Sequence, residues 1–299
     1  LRPTVIRAVE EVGVTGEIAA VTAGWQERER EVDELSEHLG RPVVQLELYR
    51  RAESLFLADR GYFEAYRARQ EALRQLQGLY RRRLAYVLDA ARELLVAEGP
   101  EELLEPEKES ALEIVRALDR HHLERIEAIQ RVYAPDLDPR HHPLLLEQQA
   151  EIRSLLEGCE ALAIAGGHVL ILLNRLRLFD ILGALGTDKP VFAWSAGAMC
   201  CASRVVVFHD SPPQGAGNAE VIEVGLGLFD DILPLPHARH RLALGDPARV
   251  ALLARRFTDH TCVAMDEGAA LRRVRGGWRA WPETRHLLEN GAVEAILAA

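Results

Sequence analysis

One stretch carries the residues best suited to covalent chemistry: Lys189-Pro-Val-Phe-Ala-Trp-Ser-Ala-Gly-Ala-Met199. A proline opens it, a short apolar run follows, and at Ser195 the chain passes into small residues able to start a helix. That succession predicts a tight strand-to-helix turn holding the Ser195 hydroxyl clear of its strand. The first amide N–H groups of the helix would then face whatever the serine attacks. The usual Gly-x-Ser-x-Gly spacing is half present, with Ala193 in the first glycine position and Gly197 in the second. A buried strand running into a small-residue helix start would give similar letters, so the reading depends on partners elsewhere in the chain.

A serine hydroxyl is a weak nucleophile at neutral pH and needs a base within hydrogen-bond reach, itself oriented by a carboxylate. Two candidates lie downstream. Each stands at the end of an expected strand: Asp210 follows Val205-Val-Val-Phe-His209, and His237 sits between prolines (Pro234, Pro236) and arginines (Arg239, Arg241). His209 and His240 compete as bases. His209 falls inside a strand pattern, where a half-buried sheet position is the simpler reading. His240 could pair with His237 as His-x-x-His, yet no third metal ligand follows. A tetrahedral oxyanion also needs two or more preorganised N–H donors. The Ala196 amide is one; the second could come from Gly166-Gly167, because glycine lets bare backbone approach a substrate. The same glycine pair could equally serve only to turn the chain into the next helix.

The elements that must position these residues follow from periodicity. Residues 17–23 and 42–48 read as buried strands, with a charged helix over 26–39 between them and a short helix over 3–12 before. Strand, helix, strand in that rhythm predicts a parallel sheet with crossover helices, and a further strand before Leu1. From Tyr49 the rhythm stops. Leu73, Leu76, Tyr80, Leu84, Val87, Ala91 and Leu94 recur every three or four positions, and a second stripe from Leu112 to Tyr133 follows a helix start near Pro106. A third helix is expected over 144–157. The sheet pattern resumes with strands at 160–165, 191–194 and 204–208. Residues 262–271 read as two short strands joined by a turn, and 278–281 as an edge strand. The expected architecture is an α/β fold, a mostly parallel sheet sandwiched by helices and interrupted by a long helical insertion. Its parts would be 1–48, the insertion 49–150, and 151–299 carrying the site. The apolar stripes on the insertion predict a homodimer.

Composition narrows the function. The chain of 299 residues is 48% hydrophobic and 27% charged, ordinary for a globular protein, with a formal net charge of -10. That charge argues against nucleic acid or an anionic membrane as partner. Arg81-Arg82-Arg83 lies in a net acidic stretch and reads as a solvated helix face. The four cysteines lack Cys-x-x-Cys spacing and read as reduced, buried thiols of a cytoplasmic protein. The histidine pairs at 121–122 and 141–142 lack a matching carboxylate or cysteine pattern, so no metal and no cofactor are expected.

Taken together, Gly-Gly-polar-x-x-x-Leu-Leu from Gly166, Trp-Ser-Ala-Gly-Ala, Asp-x-Pro, Leu-Gly-Leu with Pro-His, and Asp-Glu-Gly-Ala-Ala-Leu resemble the dipeptidase E and cyanophycinase family. The resemblance covers 160–271 well and 17–48 loosely; the helical insertion has no counterpart. It implies a serine peptidase on a class I glutamine amidotransferase-like fold, acting on a small peptide or amide. Ser195 stands at the nucleophile and His237 at the base. Asp210, fifteen positions after the serine, matches the aspartate of dipeptidase E, whereas cyanophycinases use a glutamate elsewhere. Gly167 and Ala196 match the oxyanion donors, and Gly166, His168 and Arg239 would line the substrate. Two departures stand out: the family's Gly-Gly-Gly-Asn is here Ala165-Gly-Gly-His168, and Arg239 and His240 follow His237. A non-catalytic scaffold, with the helices as the functional part, is the rival expectation.

Overall fold

The computed structural model describes residues 2–208 and 217–296. The first elements are α1 (Arg2–Val12), β1 (Ile18–Val21), α2 (Asp33–Leu39), β2 (Val43–Gln45), α3 (Leu48–Ala58), α4 (Arg60–Leu95), α5 (Glu101–Tyr133) and α6 (Pro143–Gly158). Next come β3 (Ala161–Ile164), α7 (Val169–Leu178), α8 (Ile181–Leu185), β4 (Val191–Ala193), α9 (Ala196–Cys201), β5 (Arg204–Val207), β6 (Glu220–Val224) and β7 (Ile232–Pro236). The chain closes with α10 (Ala238–Arg241), α11 (Pro247–Arg256), β8 (Thr261–Met265), β9 (Leu271–Val274), β10 (Gly277–Ala280), β11 (Arg285–Leu287) and β12 (Val293–Ala295). Internal contacts gather these into two compact units. Residues 1–69 with 132–201 form one, and 70–131 with 202–299 the other.

The first unit is built on a four-stranded sheet of order β2-β1-β3-β4, parallel throughout. Both faces are covered, which is why β1 and β3 read as unbroken apolar letters and are buried at every residue. Val5, Val9, Leu35 and Leu39 from α1 and α2 fill a core with Ile18, Ala163 and Phe192. The chain winds one way from β1 to β2 and the other way from β3 to β4. The carboxyl ends of β1 and β3 therefore border the crevice where open α/β sheets take ligands.

Two expectations here need correction. The single helix over 26–39 is instead a 3-10 turn at Ala23–Arg28 followed by α2, because Gln26 adopts φ 58, ψ -123 and breaks the helical path. The strand over 42–48 is only three residues long, since Glu47 turns left-handed (φ 51) and Leu48 starts α3. What fixes that early helix start is remote in sequence. The fully buried Glu29 carboxylate accepts from the N–H groups of Tyr49 (2.9 Å) and Arg50 (3.0 Å), capping donors that α3 leaves open.

The second unit holds the sheet β12-β11-β8-β7 and two strand pairs, β5-β6 and β9-β10. β7 and β8 run parallel, while β11 is antiparallel to both β8 and β12. β7, the strand expected to end at His237, contains Pro234 and Pro236; it lies at the end of its sheet, where a missing ladder donor is tolerated. The strands expected within 262–271 exist as β8 and the start of β9, but they belong to different sheets.

Within this unit, Tyr80, Leu84, Leu88 and Ala91 of α4 and Leu112, Val115 and Leu118 of α5 are buried with Val206, Val221, Leu233, Leu235 and Phe257. The middle of each stripe, from Tyr80 to Leu94 and from Leu112 to Leu118, thus packs inside the chain. α5 opens at Glu101, a full turn before Pro106, with two acidic residues in its first turn to suit the helix dipole. A buried polar network crosses the same core. Arg256 holds Asp119 with two hydrogen bonds (2.7 and 2.8 Å) and donates to Ala219 O (2.7 Å), while the Tyr80 hydroxyl donates to Asp119 (2.7 Å).

Candidate active site

Ser195 sits between β4 and α9 with φ 52, the left-handed region. A non-glycine residue is strained there by about 1–2 kcal/mol. The distortion lifts the side chain out of the strand path, as the sharp turn in the sequence predicts. The half-retained glycine motif has a steric explanation. A Cβ on Gly197 would fall 2.2 Å from the Ile164 carbonyl oxygen, so only glycine fits. Ala193, by contrast, is an ordinary β4 residue paired with Ile164, where a methyl group is accommodated.

The turns after β1, β3 and β4 meet at this point. A Cβ on Gly167 (φ 111) would lie 2.3 Å from Gly24 O, and one on Gly166 would lie 2.9 Å from Ser195 Cβ. The His168 N–H donates to Gly24 O at 2.8 Å, which ties the turn down without using the Gly167 N–H. The structure therefore brings Ser195, Ala196, Gly166, Gly167 and His168 together. His168 is exposed and caps α7, its Nδ1 accepting from Ile171 N at 3.4 Å. With Nδ1 so used, the neutral ring carries its proton on Nε2. Gly24 was not singled out by sequence, although a glycine directly after a buried strand is the signal that would have found it.

His237 and Arg239 lie in the second unit. His237 directly follows β7, is exposed, and takes φ 58. Its N–H donates to Met265 O at the end of β8 (3.1 Å), and its carbonyl accepts from His240 and Arg241 N–H (both 3.1 Å). The histidine is therefore not in a free loop but at a strand end locked on both sides. Asp266, just after β8, accepts from Arg239 N (3.0 Å) and stands 3.9 Å from Arg239 Nε. Asp210 and the competing His209 lie outside the described residues.

The remaining sequence candidates resolve into structural roles. Cys200 and Cys201 are buried in α9, and burial pushes both thiols up, Cys201 to about 12, so neither supplies a thiolate at the turn. His122 stacks on Tyr80 (4.0 Å, 10°) and bonds Gln77 (2.8 Å), and His142 bonds Asp59 (2.7 Å). Among the described residues no group of three metal-ligating side chains is placed to hold an ion. One serine–histidine contact went unread in the sequence: Ser203 Oγ lies 3.0 Å from His260 Nε2. His260 Nδ1 stands 2.9 Å from Asp259 without hydrogen-bond alignment, and only 3% of the His260 side chain is exposed. We read this contact as a fastener between the starts of β5 and β8.

A family model, that of peptidase family S51, matches residues 116–279, more than half of the chain. The chain belongs to peptidase family S51. Every candidate site residue, from Gly166 to Arg239, falls within the matched span of this S51 protein. Three proteins named Peptidase E, from Actinobacillus pleuropneumoniae serotype 5b (strain L20), serotype 3 (strain JL03) and serotype 7 (strain AP76), are each 33% identical over 64 residues. That alignment covers 20% of the S51 chain and 27% of each relative, so the chain spans about a quarter of the length of the curated relatives it matches. No helix among the described residues is long and apolar enough to cross a membrane.

Proposed function

We propose that this S51 chain is a serine hydrolase of the dipeptidase E kind, cleaving a peptide or amide bond of a small substrate. His237 takes the proton from Ser195 Oγ as the oxygen attacks the substrate carbonyl carbon, and Asp210 orients the imidazole and stabilises its charged form. The Ala196 and Gly167 N–H groups hold the oxyanion. Collapse expels the amine, which leaves with the proton from His237, and the acyl group stays on Ser195. Water, deprotonated by the same imidazole, then releases the acid. Gly166, His168 and Arg239 line the substrate, and the steps need neither metal nor nucleotide. The observation that carries this reading is Ser195 itself: a strained, left-handed serine at a strand-to-helix turn, packed against a glycine pair at the carboxyl edge of a parallel sheet. Membership in a family of peptidases favours it over the non-catalytic scaffold.

The test is covalent labelling by a fluorophosphonate probe with peptide mapping. Modification is expected on Ser195, lost in Ser195→Ala and strongly reduced in His237→Gln. Ser203, also beside a histidine, is the internal control. Label on Ser203 alone, or none on Ser195, rejects the assignment.

A further inference from the structure

Gln26 occupies φ 58, ψ -123, the second position of a type II′ turn, where glycine is the usual residue. A glutamine is held in that conformation only if its surroundings over-determine it. They do. Three residues on, the Glu29 N–H donates to Gln26 O (2.9 Å), and the Glu29 carbonyl accepts from the Thr22 hydroxyl (2.9 Å) and from Gln45 Nε2 (3.4 Å). The buried Glu29 carboxylate is anchored in turn on the start of α3.

The strained turn follows β1 at the sheet's change of winding. Two residues before it, Gly24 presses on Gly166 and Gly167, and Gly166 presses on Ser195. The Gln26 side chain is half-buried and has no hydrogen-bonding partner among the described residues. Strain of this kind collects where a side chain must be presented to a ligand. A carboxamide offers a carbonyl acceptor and an N–H donor, the complement of a peptide group.

We infer that Gln26 is a substrate-binding residue of the Ser195 site and pairs with a main-chain amide of a short peptide, an inference that rests on the hydrolase reading above. The fold strains a glutamine there because the carboxamide is used.

The experiment is protection of Ser195 from the fluorophosphonate probe by tripeptides, and by analogues in which each amide in turn is an ester. It is run on the full chain as wild type, Gln26→Gly and Gln26→Ala. Protection is read in each protein against its own unprotected labelling rate, and Gln26→Gly should melt above the wild type because glycine relieves the turn. In the wild type, one amide-to-ester change should weaken protection by about tenfold, and that gap should close in both variants. A gap that persists in the variants, a wild type indifferent to every ester, or peptides that never protect would each overturn the inference. If those results come with normal Ser195 labelling, they overturn it alone. Absence of Ser195 labelling removes the hydrolase reading as well.

Discussion

Gly166 and Ser195 are in direct contact: a single added methyl on the glycine would sit 3.0 Å from the serine hydroxyl oxygen and 2.9 Å from its Cβ. The position of the Ser195 hydroxyl is thus set by the backbone of the neighbouring strand end, not only by its own turn. Gly166→Ala should displace the hydroxyl by several tenths of an ångström. Misplacement on that scale costs up to about 100-fold in rate. The expected result is a Ser195 labelling rate at least about tenfold lower than wild type, with a melting temperature within a few degrees of it. Equal labelling rates would show that the serine does not depend on the contact.

The left-handed backbone of Ser195 makes a second prediction. Ser195→Ala and Ser195→Gly both remove the hydroxyl, but only glycine removes the strain. The glycine variant should be the more stable of the two by about 1 kcal/mol, read as a difference in urea midpoint at equal slope. Identical midpoints would mean that the turn is not strained in solution.

Asp119 and Arg256 form a buried pair, with the Tyr80 hydroxyl completing the acceptor's shell. Removing one partner leaves the other charge buried without compensation. Asp119→Ala is expected to cost about 3–5 kcal/mol. Replacing both groups by apolar residues, as in Asp119→Leu with Arg256→Met, should recover most of that loss. Chemical denaturation of the single and double variants checks it; a double variant worse than the single would contradict it.

His122 is buried on the same core face, and burial first, then the nearby His121, lowers its pKa to about 4, against the pull of Asp119. The folded state therefore binds its proton less readily than the unfolded chain, whose histidine titrates near 6.5. Its contribution is present in full above about pH 6.5 and is lost as pH falls towards about 4, up to about 3 kcal/mol in all. His122→Gln should flatten this part of the stability profile between those two pH values. A wild-type profile flat across the window would reject the burial argument.

The legible part of the site was local. A proline, an apolar run and small residues around Ser195 describe a tight turn through side-chain size at neighbouring positions, so letters alone located it. Gly166-Gly167 was readable for the same reason, as a glycine pair ending an unbroken buried strand. Gln26 was not, because its conformation is imposed by Thr22, Gln45 and Glu29, and Glu29 is itself held by α3. Strand β7, expected before His237, carries two prolines, which forbid most sheet positions and are admitted because β8 pairs it on one side.

By itself the sequence determined the alternation of strands and helices, the long helical stretch, and the serine turn, since each follows from side-chain size and periodicity over a few residues. Tertiary structure decided what no local pattern encodes. It directed the apolar stripes of α4 and α5 onto the chain's own strands, set the order β2-β1-β3-β4 that places the winding change beside Ser195, and locked His237 at a strand end. These outcomes depend on which distant surfaces exclude water against one another, and that is a property of the packed chain.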